Sequence, residues 1–195
     1  MNLTNLHTFT AEAVNNLGQY TNSDGSTPTA GLVLSGNTLY GTAPYGGTNG
    51  YGTVFSLNTD GTGFTNLHNF SPLVPNDLVE DVTNSDGANP VGGLTLSGIT
   101  LYGGTQYGGA NGNGTVFSLT FPPQLSIIRS GTNMIVSWPT NVAGFSYIGF
   151  TLQSATNLSP AVWSTVSPGP VVVNRQNTVT NGISGTQHFF RLANP

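Results

Sequence analysis

Residues 31–57 and 93–119 of this 195-residue chain are near copies of each other. Leu32, Leu39, Tyr40, Tyr45, Val54, Phe55 and Leu57 return as Leu94, Leu101, Tyr102, Tyr107, Val116, Phe117 and Leu119, each 62 positions later. Upstream, Leu6-His7-Thr8-Phe9 returns as Leu67-His68-Asn69-Phe70, 61 positions later, so one residue is gained in the loop between. A period of this length marks a repeat architecture, in which a unit cannot bury its apolar face alone and stacks on its neighbours. Whatever local structure the first copy adopts, the second must be able to adopt too.

Within a copy the pattern is that of strands. Leu3, Asn5, His7 and Phe9 alternate with Thr4, Leu6 and Thr8, which predicts a strand over residues 2–9. Residues 10–30 read as a long polar loop ending in the turn signal Asn22-Ser23-Asp24-Gly25. Three short strands follow, over 32–35, 38–42 and 53–58, the first two joined by a tight turn at Gly36-Asn37. Gly63 to Phe70 is then the second Leu-His-x-Phe strand, and the order begins again. No helical period is sustained. Four short strands joined by Gly/Asn turns are the layout of a propeller blade. The expected fold class is all-β, with two propeller-blade-like four-stranded repeats (about 5–62 and 66–121) forming a domain 1–121. Pro122-Pro123 marks a boundary. Beyond it, about seven short strands without cysteine predict a small immunoglobulin/fibronectin-III-like sandwich over 122–195, with Trp138, Leu152, Trp163 and Phe190 in its core.

Two motifs carry a family resemblance. Leu-Tyr-Gly-x-x-x-x-Gly-Gly-x-x-Gly-x-Gly-Thr-Val-Phe-x-Leu runs from Leu39 and again from Leu101, and Asp-Gly-x-x-Pro-x-x-Gly-Leu precedes it from Asp24 and from Asp86. The chain thereby resembles the GloVer-type tandem repeats of secreted and surface-anchored bacterial proteins. The resemblance implies a propeller of several repeats, with no enzymatic role attached. Val136-Ser137-Trp138-Pro139, Phe150 to Gln153 and Phe189 to Leu192 look like the small fibronectin-III-like modules of bacterial secreted proteins.

Composition narrows the partners. Charged residues make up only 5% of the chain, against the usual quarter or so. All seven acids precede residue 122 and all three arginines follow it, with no lysine anywhere. No basic patch can be assembled, so nucleic acid is excluded as a partner. No apolar run is long enough for a membrane-spanning helix, and cysteine is absent, so there is no disulfide framework. No signal peptide is visible at the N-terminus. A polar surface so poor in charge offers little mutual repulsion and favours self-association.

The side chains of a kind that carries chemistry have structural readings. His7 and His68 occupy equivalent repeat positions, and His188 stands in a strand apart from both, so no metal-ligand spacing is formed. Asp24 and Asp86 read as turn residues. Asp77, Glu80 and Asp81 gather three acids but lack EF-hand spacing. No nucleophile elbow, phosphate loop or dinucleotide fingerprint occurs. The expectation is a non-enzyme without cofactor. Tyr45, Tyr51 and Tyr107 lie on Gly-rich loops and are candidates for stacking on sugars, whereas Tyr40 and Tyr102 are expected to pack between blades.

The phase of the repeats gives the main functional expectation. Residues 2–9 form a blade strand with no blade ahead of them, while the second repeat leaves at Pro122 one strand short. Donation of the N-terminal strand (Leu3, Leu6, His7, Phe9) to the second repeat of a neighbour (Leu101, Val116, Phe117, Leu119) would satisfy both. The partner is then the chain itself, as a filament or a ring, and the distinct ends favour the filament. The reading is an extracellular or cell-surface structural protein with an adhesive role. The alternative is a carbohydrate- or ligand-binding module cut from a longer secreted β-propeller.

Overall fold

Every regular element among the described residues is a β-strand. The computed structural model describes residues 1–76, 81–182 and 187–194, in two compact units, Met1–Thr120 and Phe121–Pro195.

The first unit holds both repeats. A short hairpin of β1 (Ala13–Val14) and β2 (Tyr20–Thr21) precedes β3 (Val33–Ser35), β4 (Thr38–Ala43), β5 (Thr53–Asn58) and β6 (Thr65–Asn69). The last four form one antiparallel sheet in chain order, a blade meander. The second repeat begins with the hairpin of β7 (Val74–Asn76) and β8 (Asp81–Thr83), followed by β9 (Thr95–Ser97), β10 (Thr100–Gly104) and β11 (Val116–Thr120). These last three pair in chain order as a three-stranded sheet, so the second blade stops one strand short of the first.

Alternation decides which residues of a blade face which way. Tyr40 and Thr42 oppose Ser56 and Val54 on one face of the first blade, and Leu39 and Gly41 oppose Leu57 and Phe55 on the other. The same turn holds each blade to its glycine loop. Asn22 Oδ1 accepts the N–H groups of Gly25 (2.8 Å) and Gly47 (2.7 Å). Asn84 repeats this with Gly87 (2.8 Å) and Gly109 (3.0 Å).

Two strand expectations are corrected. The segment 10–30 is not all loop: it contains the β1–β2 hairpin, whose two-residue strands are too short to leave a periodic signal. Residues 2–9 form no strand in the chain itself. A strand is defined by its ladder partner, and their equivalent, β6, pairs with β5; no described strand pairs with residues 2–9.

The second unit contains β12 (Ser126–Ser130), β13 (Asn133–Pro139), β14 (Asn141–Val142), β15 (Phe145–Ser146), β16 (Thr151–Ala155), β17 (Ser164–Thr165), β18 (Val171–Val173), β19 (Gln176–Gly182) and β20 (Phe189–Ala193). One sheet runs β12-β13-β19-β18 and another β17-β16-β20, with β14–β15 a separate hairpin. Setting that hairpin aside, seven strands fall into these two antiparallel sheets. Trp138, Leu152, Phe145 and Tyr147 are buried, while Trp163 and Phe190 are half-buried. The Arg191 guanidinium covers the Trp163 ring at 4.4 Å. Phe121 stacks on Phe145 at 4.4 Å, which ties it to this unit. Burial raises the Tyr147 phenol above its ordinary pKa, and its hydroxyl donates to Phe121 O at 2.9 Å.

Candidate functional site

The Leu-His-x-Phe segments latch onto the repeat that follows them. His68 Nε2–H donates to Asp86 Oδ2 at 2.8 Å, and the Ser71 N–H reaches the same carboxylate at 3.1 Å. Phe70 meets Phe117 edge-on, centroids 5.4 Å apart. The N-terminal segment makes the same set. His7 Nε2–H donates to Asp24 Oδ2 at 2.9 Å, the Thr10 N–H reaches that oxygen at 3.1 Å, and the Thr10 hydroxyl donates to Asp24 Oδ1. Phe9 meets Phe55 edge-on at 5.3 Å. Burial pushes the Asp24 carboxyl pKa up, but the hydrogen bonds from Thr10 and His7 outweigh it and hold the carboxyl below its ordinary value. Asp24 and Asp86 are therefore anchors as well as turn residues. The matched His-to-Asp separations, 17 and 18 residues, were the sequence signal for this.

β6 has a second role that residues 3–9 do not fulfil within the chain. While His68 and Phe70 grip the second repeat, β6 pairs with β5 as Thr53↔Asn69, Val54↔His68, Phe55↔Asn66 and Ser56↔Thr65. It also sends Phe64 into the first blade, stacked on His7 at 3.9 Å and on Phe55 at 5.5 Å. Asn66 Nδ2 then donates to Ser23 O at 2.8 Å. Among the described residues of this unit, none takes these places in the second blade. A cleft of about 280 Å³ runs along β11, lined by His68, Phe70, Ser85, Asp86, Val116 and Phe117 among others. It occupies the site that Phe64 and β6 fill in the first blade.

Exposure follows. Val54 is 1% exposed and its equivalent Val116 89%; Tyr40 is 0% exposed and Tyr102 44%. The face bearing Tyr40 and Val54 is covered by the second repeat, where Thr42 Oγ1–H donates to Gly92 O at 3.0 Å. The matching face of the second repeat is uncovered, so Tyr40 is buried between blades as expected and Tyr102 is not. Of the four acceptor residues, Val116, Phe117 and Leu119 line the cleft. Leu101 does not: it is fully buried in β10, directly across from Leu119, and belongs to the core of the blade. On the donor side Leu3 is 100% exposed, whereas Leu6, His7 and Phe9 are half-buried.

The tyrosine loops divide. Tyr45 and Tyr51 share a shallow cleft of about 250 Å³ with Tyr20, Glu12, Gln19 and Gly50. Gln19 Nε2–H donates to the Tyr51 hydroxyl at 3.0 Å, and the Ser26 hydroxyl donates to Glu12 Oε1 at 2.6 Å. Tyr107 is exposed in the second repeat, where Val82 and Asn113 stand in place of Tyr20 and Tyr51. Tyr20, Glu12 and Gln19 carried no signal in the sequence, because the hairpin that presents them was not legible. Among the described residues, no three histidine or acidic side chains are grouped to hold a metal, and no helix is long and apolar enough to cross a membrane. Asp77 and Glu80 lie outside the described residues.

Two stacked antiparallel blades built from one duplicated sequence, the second with an unfilled edge, define a tandem-repeat β-blade protein. The chain belongs to the Gloeobacter/Verrucomicrobia repeat family, whose model matches residues 5–132. No curated protein and no solved structure matches it.

Proposed function

We propose that this chain is a non-catalytic structural protein that assembles head to tail, residues 3–9 of one copy completing the second blade of the next. One observation carries the reading: the groove along β11 lacks what β6 supplies to β5, and residues 3–9 repeat the sequence of β6. Thr4-Asn5-Leu6-His7 is identical to Thr65-Asn66-Leu67-His68, and Leu3 stands where Phe64 stands. Transferring the observed β5–β6 register gives Thr115↔Thr8, Val116↔His7, Phe117↔Asn5 and Ser118↔Thr4 across the contact. Leu3 then enters the slot between His68 and Phe117, and Asn5 reaches Ser85 as Asn66 reaches Ser23. The latch to Asp24 does not compete, because β6 makes its own latch and its own ladder at once. Covering Val116 contributes about 1.5–3 kcal/mol, and the ladder closes an edge that otherwise invites disordered pairing. The uncharged surface and the family's secreted habit, inferred from the sequence, support a place outside the cell or on its surface, where such an assembly serves adhesion.

The test uses the absence of native cysteine. Thr4→Cys and Ser118→Cys variants, each exposed and fold-neutral, are mixed under mild oxidation. A disulfide joining the two variants is expected; a Thr4→Cys/Ser56→Cys mixture, with Ser56 buried under β6, gives none. Proteins that remain monomeric at high concentration and do not crosslink sink the reading.

The Tyr20, Tyr45 and Tyr51 cleft favours a second reading, as a carbohydrate-binding module. Exposed tyrosine faces beside a carboxylate and an amide suit a sugar ring, which offers C–H bonds on one face and hydroxyls at its edge. Binding on a glycan array that Tyr20→Ala and Tyr45→Ala each remove is the expected result of that reading; an array without signal ends it.

A further inference from the structure

The junction between the two blades involves more than the β6 ladder. On the second repeat, the Asn89 N–H donates to Tyr51 O at 2.9 Å, and Asn89 Nδ2–H donates to Pro44 O at 2.9 Å. Beside it Pro90 packs so closely on Gly52 that a Cβ at that glycine would stand 2.6 Å from the proline Cδ. The Phe70 N–H donates to Gly52 O at 3.1 Å, and Asn49 Nδ2–H donates to Phe70 O at 2.9 Å. One side of this junction is thus the Asn89-Pro90 turn with Phe70; the other is the loop from Pro44 to Gly52.

Both halves of that junction are also present on the outside of the unit, unmatched. The turn's equivalent is Thr27-Pro28, which is exposed where Asn89 and Pro90 are buried. Thr27 holds φ at +58°, nearly the +54° of Asn89. Asparagine tolerates that left-handed backbone, but for a β-branched residue it is an outlier. Asn89 is kept there by the hydrogen bonds just described, whereas among the described residues none hydrogen-bonds Thr27. Backbone strain without a local cause points to an absent contact. The loop's equivalent is Gln106 to Gly114, in which Asn111 repeats Asn49 and lies exposed.

We infer that a second copy docks its Thr27-Pro28 turn on the Gln106–Gly114 loop, reproducing the internal junction, so that copies close into a ring instead of extending as a fibre. The inference rests on the strand-completing reading and adds a surface to it. In the docked pair the Thr27 N–H donates to Asn113 O, Pro28 packs on Gly114, and Asn111 Nδ2–H donates to Phe9 O. A head-to-tail contact closes only if its rotation does. Here the rotation between copies is the same as that between repeats within a copy. Every blade is then related to the next by one operation, and propellers built that way close at ~4–8 blades. With two blades per chain, the ring holds about two to four copies.

Native mass spectrometry and light scattering of the full chain over a wide concentration range test this. One discrete species of two, three or four copies is expected, with no larger product at high concentration. Pro28→Asp alters a side chain exposed in the monomer and is expected to weaken that species at least tenfold; Thr27→Asn, which restores the residue found at position 89, is expected to tighten it severalfold. A mass that keeps growing with concentration, while the Thr4/Ser118 disulfide still forms, overturns the ring and leaves strand completion standing. A discrete ring indifferent to both substitutions overturns the docking surface. Monomer throughout, with no crosslink, overturns both readings.

Discussion

The two repeats differ little in sequence and greatly in what covers them. β5 of the first is buried along nearly its whole length, while β11 of the second alternates between exposed and half-buried, although both read Val-Phe-Ser-Leu. The opposite face shows the reverse: Leu101 is fully buried, whereas its equivalent Leu39 is only half-buried. Burial here is therefore a property of neighbours, and each repeat serves as a control for the other. A residue apolar in both copies but covered in one marks a surface the fold prepares and leaves unfilled.

The largest expected effect comes from making the same substitution in both copies. Val54→Asp places an unpaired carboxylate in a fully covered site and should cost about 4 kcal/mol or more, unfolding much of the unit. Val116→Asp, measured by urea denaturation in dilute protein, should cost no more than about 0.5 kcal/mol, yet abolish self-association at any accessible concentration. Equal costs in dilute protein would mean that Val116 is already covered within one chain, and the contrast would collapse.

The slot left by Phe64 sharpens the comparison from the donor side. Leu3 is wholly exposed, so Leu3→Phe should leave the isolated chain unchanged. Across the contact it should restore the His–Phe–Phe stack that the first blade contains, and such aromatic pairs are worth about 0.5–1.5 kcal/mol. Association by sedimentation should then tighten roughly 3–10-fold. Leu3→Asp should weaken it beyond measurement. If Leu3→Phe leaves association unchanged, residue 3 does not occupy that slot.

How much of this was legible in the sequence follows from what kind of signal each part leaves. The repeat, the strands at 38–43 and 53–58, the break near residue 121 and the missing fourth strand were all readable, because duplication and alternation extend over many residues. The β1–β2 hairpin was not: strands of two residues have no period, and the cleft that Tyr20 and Glu12 help form went with it. Residues 2–9 read as a strand because their side chains alternate as those of β6 do, but pairing depends on a partner that the pattern cannot contain. Leu101 and Val116 are equally apolar in the sequence, and only the folded arrangement separates the covered one from the open one. The His–Asp latches lay between these extremes, since both residues were noted singly but their shared spacing had to be folded to bring them together.

The smallest effect concerns the latch that holds the N-terminal segment in place. Asp24 is the buried acceptor of this latch, and its repeat counterpart Asp86 is half-buried. With its folded pKa below the ordinary 3.8, the Asp24 carboxylate binds protons less readily in the native state than in the unfolded chain. The stability this provides is fully present above the unfolded pKa, near 4, and is lost as pH falls through the lowered folded value. The urea midpoint of the dilute protein should therefore drop between pH 5 and pH 3, and the protection of the amides of residues 6–10, measured against their intrinsic exchange rates at each pH, should fall. Asp24→Asn should lower the midpoint at pH 5, because Thr10 and His7 lose their charged acceptor, and should leave a shallower fall toward pH 3. An Asp24→Asn protein whose acid slope matched that of the native chain would show that the N-terminal latch adds nothing to stability, and the likeness between residues 3–9 and β6 would then be one of sequence alone.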